Sequence, residues 1–180
     1  MNWLATAALE AVEWSRYRTA DGNAKSVPGS IRRLANACSD AEAKSAYWEL
    51  DNHVVVQGTL HEAAEFVVAP LLALLEGNLE PVVRKWVFDL LFEIAMGNSP
   101  ESSGRERSLE ERCRDAAREG LWTLYALLLE PDPSRWRDTI HLLLVLDRDK
   151  ARLKRVLERL KKDASDPDSR AEIIDAISRV

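Results

Sequence analysis

Apolar positions along this chain recur at intervals of three and four, most clearly between Tyr47 and Leu75. Ala43, Ala46, Tyr47, Leu50 and Val54 share one stripe, and Leu60, Ala63, Ala64, Val67, Leu71, Leu74 and Leu75 share another. That spacing predicts two amphipathic helices hinged at Gly58. Start signals agree with it. Ser39-Asp40-Ala41-Glu42 and Thr59-Leu60-His61-Glu62 each place a glutamate three positions after a hydroxyl residue, the spacing at which both side chains satisfy orphan amides of a first helical turn. Gly58, Gly77 and Gly97 fall just past three successive predicted helix ends, where a left-handed backbone costs glycine nothing.

The flanks extend the same phrase. Residues 1–25 predict a helix followed by an extended connection packed by Trp3, Trp14 and Tyr17, and Ser26-Val27-Pro28 opens a short helix to about Ala37. Asn78 to Met96 sets Val83, Trp86, Val87, Leu90, Leu91 and Ile94 on one stripe, with Arg84, Lys85, Asp89 and Glu93 off it. Residues 97–107, rich in Gly, Ser and charge, predict a flexible loop. A third capping box, Ser108 to Glu111, starts a helix running to about Glu130, and Asp132-Pro133 caps another to about Leu146. Asp147 or Asp149 begins a helix to Lys162, and Asp166-Pro167 opens a last one bearing Ile173, Ile174 and Ile177. No segment alternates with strand period, so the predicted class is all-α.

Helix pairs recur at a spacing of about 40 residues once the loop after Gly97 is discounted, with Tyr47, Trp86 and Trp136 at equivalent places. A period in that range is the mark of HEAT-type repeats, whose neighbours cover one another's apolar faces. The expected architecture is one domain over 1–180: a short α-solenoid of antiparallel hairpins. Residues 1–25 are its N-terminal cap, 26–163 its hairpins and 166–180 its capping helix. A closed four-helix bundle is the alternative.

The runs Trp14-Ser-Arg-Tyr, Gly22-Asn-Ala-Lys-Ser-Val-Pro28, Val56-Gln-Gly-Thr-Leu-His-Glu-Ala64 and Pro70-Leu-Leu-Ala-Leu-Leu75 resemble those of small bacterial HEAT-repeat proteins. The resemblance covers residues 14–76 and departs from the family pattern at Val56, often histidine there, and at His61, often tyrosine. It implies an α-solenoid, and, since several such proteins are thought to be immunity proteins encoded beside polymorphic toxins, a protein partner. It transfers no catalytic residue.

Composition narrows the field. The net charge is −5, but it is unevenly spread: residues 59–97 are strongly acidic and residues 148–162 strongly basic, so the molecule is expected to be electrically polar. The two cysteines, Cys38 and Cys113, read as buried thiols on helical faces of a protein kept in a reducing compartment. The N-terminal apolar run, broken by Glu10 and Glu13, has no basic leader, which predicts a cytoplasmic chain with no membrane partner.

Chemistry-bearing motifs are weak. His61-Glu62-Ala-Ala-Glu65 lacks the second histidine of the HExxH zinc motif. His53 reads as a hydrogen-bonded core histidine and His141 as a surface one, and Trp86 and Trp136 as core. No phosphate loop, nucleophile elbow or Cys/His cluster occurs. The expectation is therefore no enzyme, no cofactor and no metal. The basic run has an ordinary buried stripe of Leu153, Val156, Leu157 and Leu160 and no aromatic interleaving, which argues against a nucleic-acid partner.

In a solenoid the second helices of successive hairpins line a concave face that commonly binds. Here the polar sides of the helices starting at Thr59, Ser108 and Asp149 offer His61, Glu65, Glu110, Arg114, Arg118, Trp122, Arg155 and Arg159 as partner contacts. The first functional expectation is an immunity protein that blocks a cytoplasm-acting toxin through this face. A scaffold or adaptor, and a HEAT-like nucleic-acid binder, are the alternatives.

Overall fold

Short polar side chains set the helix starts in the computed structural model, which describes residues 1–99, 107–130, 135–164 and 166–180. Asn2 Oδ1 accepts from the Ala5 amide at 2.8 Å and opens α1 (Trp3–Glu10). Ser39 Oγ accepts from the Glu42 amide at 3.3 Å and opens α3 (Asp40–Val54), while Glu42 reaches back to the Cys38 amide at 2.8 Å. The chain is mainly helical and divides into two compact units, Met1–Ala117 and Arg118–Val180.

In the first unit α2 (Val27–Ala35) packs on α3, and α4 (Ala64–Leu75) is flanked by α1 and by α5 (Pro81–Met96). Helix α4 is apolar almost all round and so can exist only inside a core. Val67, Val68, Leu71 and Leu74 are fully buried, each worth about 1.5–3 kcal/mol of transfer from water. Helices α3 and α5 run side by side in one direction: Trp86 Nε1 donates to Asp40 Oδ1 at 2.8 Å near their starts, and Thr59 forms a parallel bridge to Asn98 beyond their ends. Helix α6 (Leu109–Arg118) follows, with Ser108 Oγ accepting from the Glu111 amide at 3.3 Å. Its last residue, Arg118, opens the second unit.

The hinge differs from its expected form. Gly58 does not cap a helix, and Thr59 does not start one. Val55–Val56 (β3) and Thr59–Leu60 (β4) form an antiparallel hairpin across Gln57 and Gly58, both with positive φ (50° and 76°). That is the geometry of a two-residue type I′ turn, which matches strand twist. Glu62 consequently accepts from the Arg18 amide at 3.2 Å instead of closing a capping box, and α4 begins five residues late. A second small hairpin, Arg18–Thr19 (β1) with Gly22–Asn23 (β2), lies in the N-terminal connection. The expectation of no strand at all is corrected to that extent; the all-α class stands.

Gly77 and Gly97, unlike Gly58, are not left-handed. They are places of close approach: a Cβ on Gly97 would meet Leu60 Cδ2 at 2.7 Å, and one on Gly77 would meet Asn2 Nδ2 at 2.5 Å. Trp14 and Tyr17 pack as expected, the first donating its indole N–H to Leu9 O at 2.8 Å and the second stacking on Phe66 at 3.8 Å. Trp3 does not; it is 76% exposed. Cys38 is exposed in the connection between α2 and α3, contrary to expectation, whereas Cys113 is buried. Burial, and next the Glu65 charge, push the Cys113 thiol up to about 12.

The second unit holds α7 (Leu121–Leu127), α8 (Trp136–Leu146), α9 (Lys150–Asp163) and α10 (Pro167–Ser178). Asp149 and Asp166 cap α9 and α10 through the Arg152 and Ser169 amides at 2.9 and 2.8 Å. Leu124, Leu142, Leu143, Leu146, Leu153, Leu157 and Ile173 form its core. The single helix expected from Ser108 to Glu130 is broken at Glu119-Gly120, where glycine's weak helix propensity lets the chain stop and restart. Trp86 and Trp136 are half-buried, not core. Residues 100–106 of the expected loop and the Asp132-Pro133 cap lie outside the described residues.

Candidate partner-binding surfaces

The contacts expected in the first unit are engaged within the chain. Glu65 takes the Arg112 guanidinium at 2.7 Å, both side chains less than a quarter exposed. Glu110 accepts from the Ser99 amide at 2.6 Å, and that bond, followed by the Ser108 hydroxyl, holds its carboxyl below the usual value. Arg114 Nε donates to Ala95 O at 3.1 Å. These side chains pin α6 against α4 and the end of α5. His61 sits half-buried in a recess with Thr19, Glu62, Ser99 and Arg112, and its amide closes the hairpin base onto Val54 O at 3.0 Å.

In the second unit Arg118 Nε donates to Leu146 O at 2.8 Å, and Arg155 and Arg159 are exposed on α9, the latter paired with Asp163 at 3.2 Å. Trp122 is 70% exposed. Its neighbour Tyr125 is buried, with its hydroxyl donating to Asp147. The Asp147 side chain has no solvent exposure and takes the Arg152 guanidinium on both oxygens, at 2.9 and 2.5 Å, and the Asp149 amide at 2.8 Å. Burial raises this carboxyl, but the bonds from Arg152, Tyr125 and Asp149 outweigh it and hold it below the ordinary value. The guanidinium so fixed lies 5.6 Å from the centre of the Trp122 ring, within cation–π range. Trp122 is thus a large ring in water on an ordered support, the kind of side chain that dominates binding energy.

One surface was missed in the sequence. Along the seam of α3 and α5, Tyr47 lies 4.9 Å from Trp86 and 5.2 Å from Trp48, ring centre to ring centre, and Trp48 is 48% exposed. Asp51, Asp89 and Glu93 are half-buried on the same seam. Burial pushes Asp51 up despite the Tyr47 hydroxyl 3.5 Å away; burial, then Asp51 and Asp89, push Glu93 up. The signal was available: Tyr47 and Asp51 are one turn apart on α3, Asp89 and Glu93 one turn apart on α5.

His53 is half-buried, its ring bonded to Glu49 O and 3.3 Å from Asp21, and His141 is exposed. Among the described residues no group of three or more His, Cys, Asp or Glu comes together to hold a metal ion, and no helix is long and apolar enough to cross a membrane. Compared with known proteins, the chain matches no family model, no curated protein and no solved structure.

Proposed function

We propose that this chain is a protein-binding module, a HEAT-like stack of helix hairpins that acts as an immunity protein by occluding a cognate toxin domain. The observation that carries the protein-binding reading is Trp122. A tryptophan left 70% in water, beside an Arg152 side chain fixed by a buried carboxylate, keeps most of its surface open to a partner. Large rigid rings of that kind become anchors when a partner desolvates them. The immunity role rests on the resemblance over residues 14–76. The parallel run of α3 and α5 supports the repeat reading, because successive repeats place their first helices side by side in one direction.

The test is co-expression with the product of the adjacent gene. A stable complex, protection of cells from that product, and a loss of roughly tenfold or more in affinity on Trp122→Ala support the proposal. Absence of a complex removes the immunity reading; a complex indifferent to Trp122→Ala removes Trp122 from the interface. A scaffold would instead bind several partners with lower affinity.

A further inference from the structure

We infer that the seam between α3 and α5 is a docking face for arginine and lysine side chains of a basic protein partner, an inference that rests on the reading of this chain as a protein-binding module. The first ground is a cation already seated there. Lys85 Nζ lies 3.9 Å from the Trp86 ring centre and 2.6 Å from Asp89 Oδ2, so one ring face and one carboxylate of the seam already hold an ammonium from within the chain. The second ground is that the rest of the seam has the same two components without the cation. Trp48 offers an exposed ring, and Asp51 and Glu93 are half-buried carboxylates with no cation in ion-pair reach among the described residues.

Charge complementarity selects the occupant. An apolar partner would bury Asp51 and Glu93 unpaired, at a cost of several kcal/mol, and a polyanion would be repelled. A guanidinium can lie flat on an indole while its edge donates two hydrogen bonds to a carboxylate, and an ammonium can take the same ring and oxygen as a point charge. The like-charge crowding of Asp51, Asp89 and Glu93 is relieved by such a guest. The wider segment agrees, since residues 59–97 carry an acidic excess.

The experiment uses the full chain and a synthetic peptide with three arginines at one-turn spacing, beside its citrulline and glutamate analogues. The indole N–H signals of Trp48 and Trp86 are followed by NMR. The expected result is a saturable shift of both signals with the arginine peptide and none with the citrulline or glutamate forms. Asp51→Asn with Glu93→Gln should weaken the arginine peptide about tenfold while thermal stability stays level or rises. Unmoved indoles, equal binding of the citrulline peptide, or unchanged affinity in the double variant would each overturn the inference. A toxin complex that forms normally with the double variant would overturn it too, while leaving the protein-binding reading intact. Failure to find any protein partner would remove that reading, whereas the peptide result still decides what the seam recognises.

Discussion

Asp147 ties several parts of the second unit together. It is a carboxylate with no exposed surface, and its oxygens are taken by Arg152, Tyr125 and the Asp149 amide. Removing it leaves the Arg152 charge without its carboxylate and the buried Tyr125 hydroxyl without that acceptor, so Asp147→Ala should cost about 3 kcal/mol in urea unfolding. The pH dependence follows from the lowered carboxyl. Its stabilisation is fully present above the unfolded value of about 4 and is lost as pH falls through the lower folded value. The gap between the parent chain and Asp147→Asn should therefore be constant at neutral pH and close in strong acid; a gap that widens on acidification contradicts the assignment. The thiols separate as sharply. Cys38 is exposed, and Cys113 is buried with its thiol pushed up to about 12, so a thiol reagent at neutral pH should label one cysteine in the folded chain and the second only on unfolding. Two fast thiols would mean that α6 is not packed as described.

The Val55–Leu60 hairpin shows where local sequence signals and tertiary structure part. A Gly just past an apolar helix, followed by Thr and then Glu three on, satisfies the rules for a helix stop and a new start, and by those rules Thr59 begins a helix. The competing signal was the β-branched run Val54-Val55-Val56 before Gln57-Gly58, which favours a tight hairpin. The Asn98 backbone decides the matter: Leu60 N donates to Asn98 O and Asn98 N to Gly58 O, each at 2.8 Å. Those partners come from a distant stretch and cannot be read from residues 54–62. Gly58→Ala should cost about 1–2 kcal/mol because its φ of 76° disfavours a side chain. Gly97→Ala should cost about 1–3 kcal/mol for another reason, overpacking against Leu60. Trimming Leu60 to Val in the Gly97→Ala background should recover part of the loss, whereas the same change should not rescue Gly58→Ala; equal behaviour in both backgrounds would refute the distinction. Elements whose signals are local were legible: the Ser39, Ser108 and Asp166 caps, Asp149 as one of the two starts offered for α9, and the stripes of α5 and α9 apart from the half-buried Trp86 and Val156 lie where the spacing places them. The expected partner contacts were legible as polar helix positions but not as free ones. Glu65, Glu110 and Arg114 meet Arg112, Ser99 and Ala95 only after α4, α5 and α6 come together.

The two kinds of surface make different kinetic demands on a partner. Charges acting over many ångströms govern encounter, and close-packed rings govern escape. Under the proposed protein-binding role, the acidic excess between residues 59 and 97 should steer a basic partner, so its association rate constant should fall by about tenfold as salt rises from low to a few tenths molar, where the screening length drops below about 10 Å. Trp122 carries no charge and stands at 70% exposure, so Trp122→Ala should leave association and its salt slope nearly unchanged and raise the dissociation rate. Asp51→Asn with Glu93→Gln should do both, because these half-buried carboxylates contribute to the field and to the contact. Surface plasmon resonance on the captured complex at four salt concentrations resolves the three cases. An association rate indifferent to salt would show that the acidic segment faces away from the partner, and a Trp122→Ala effect confined to association would show that the ring is not buried at the interface.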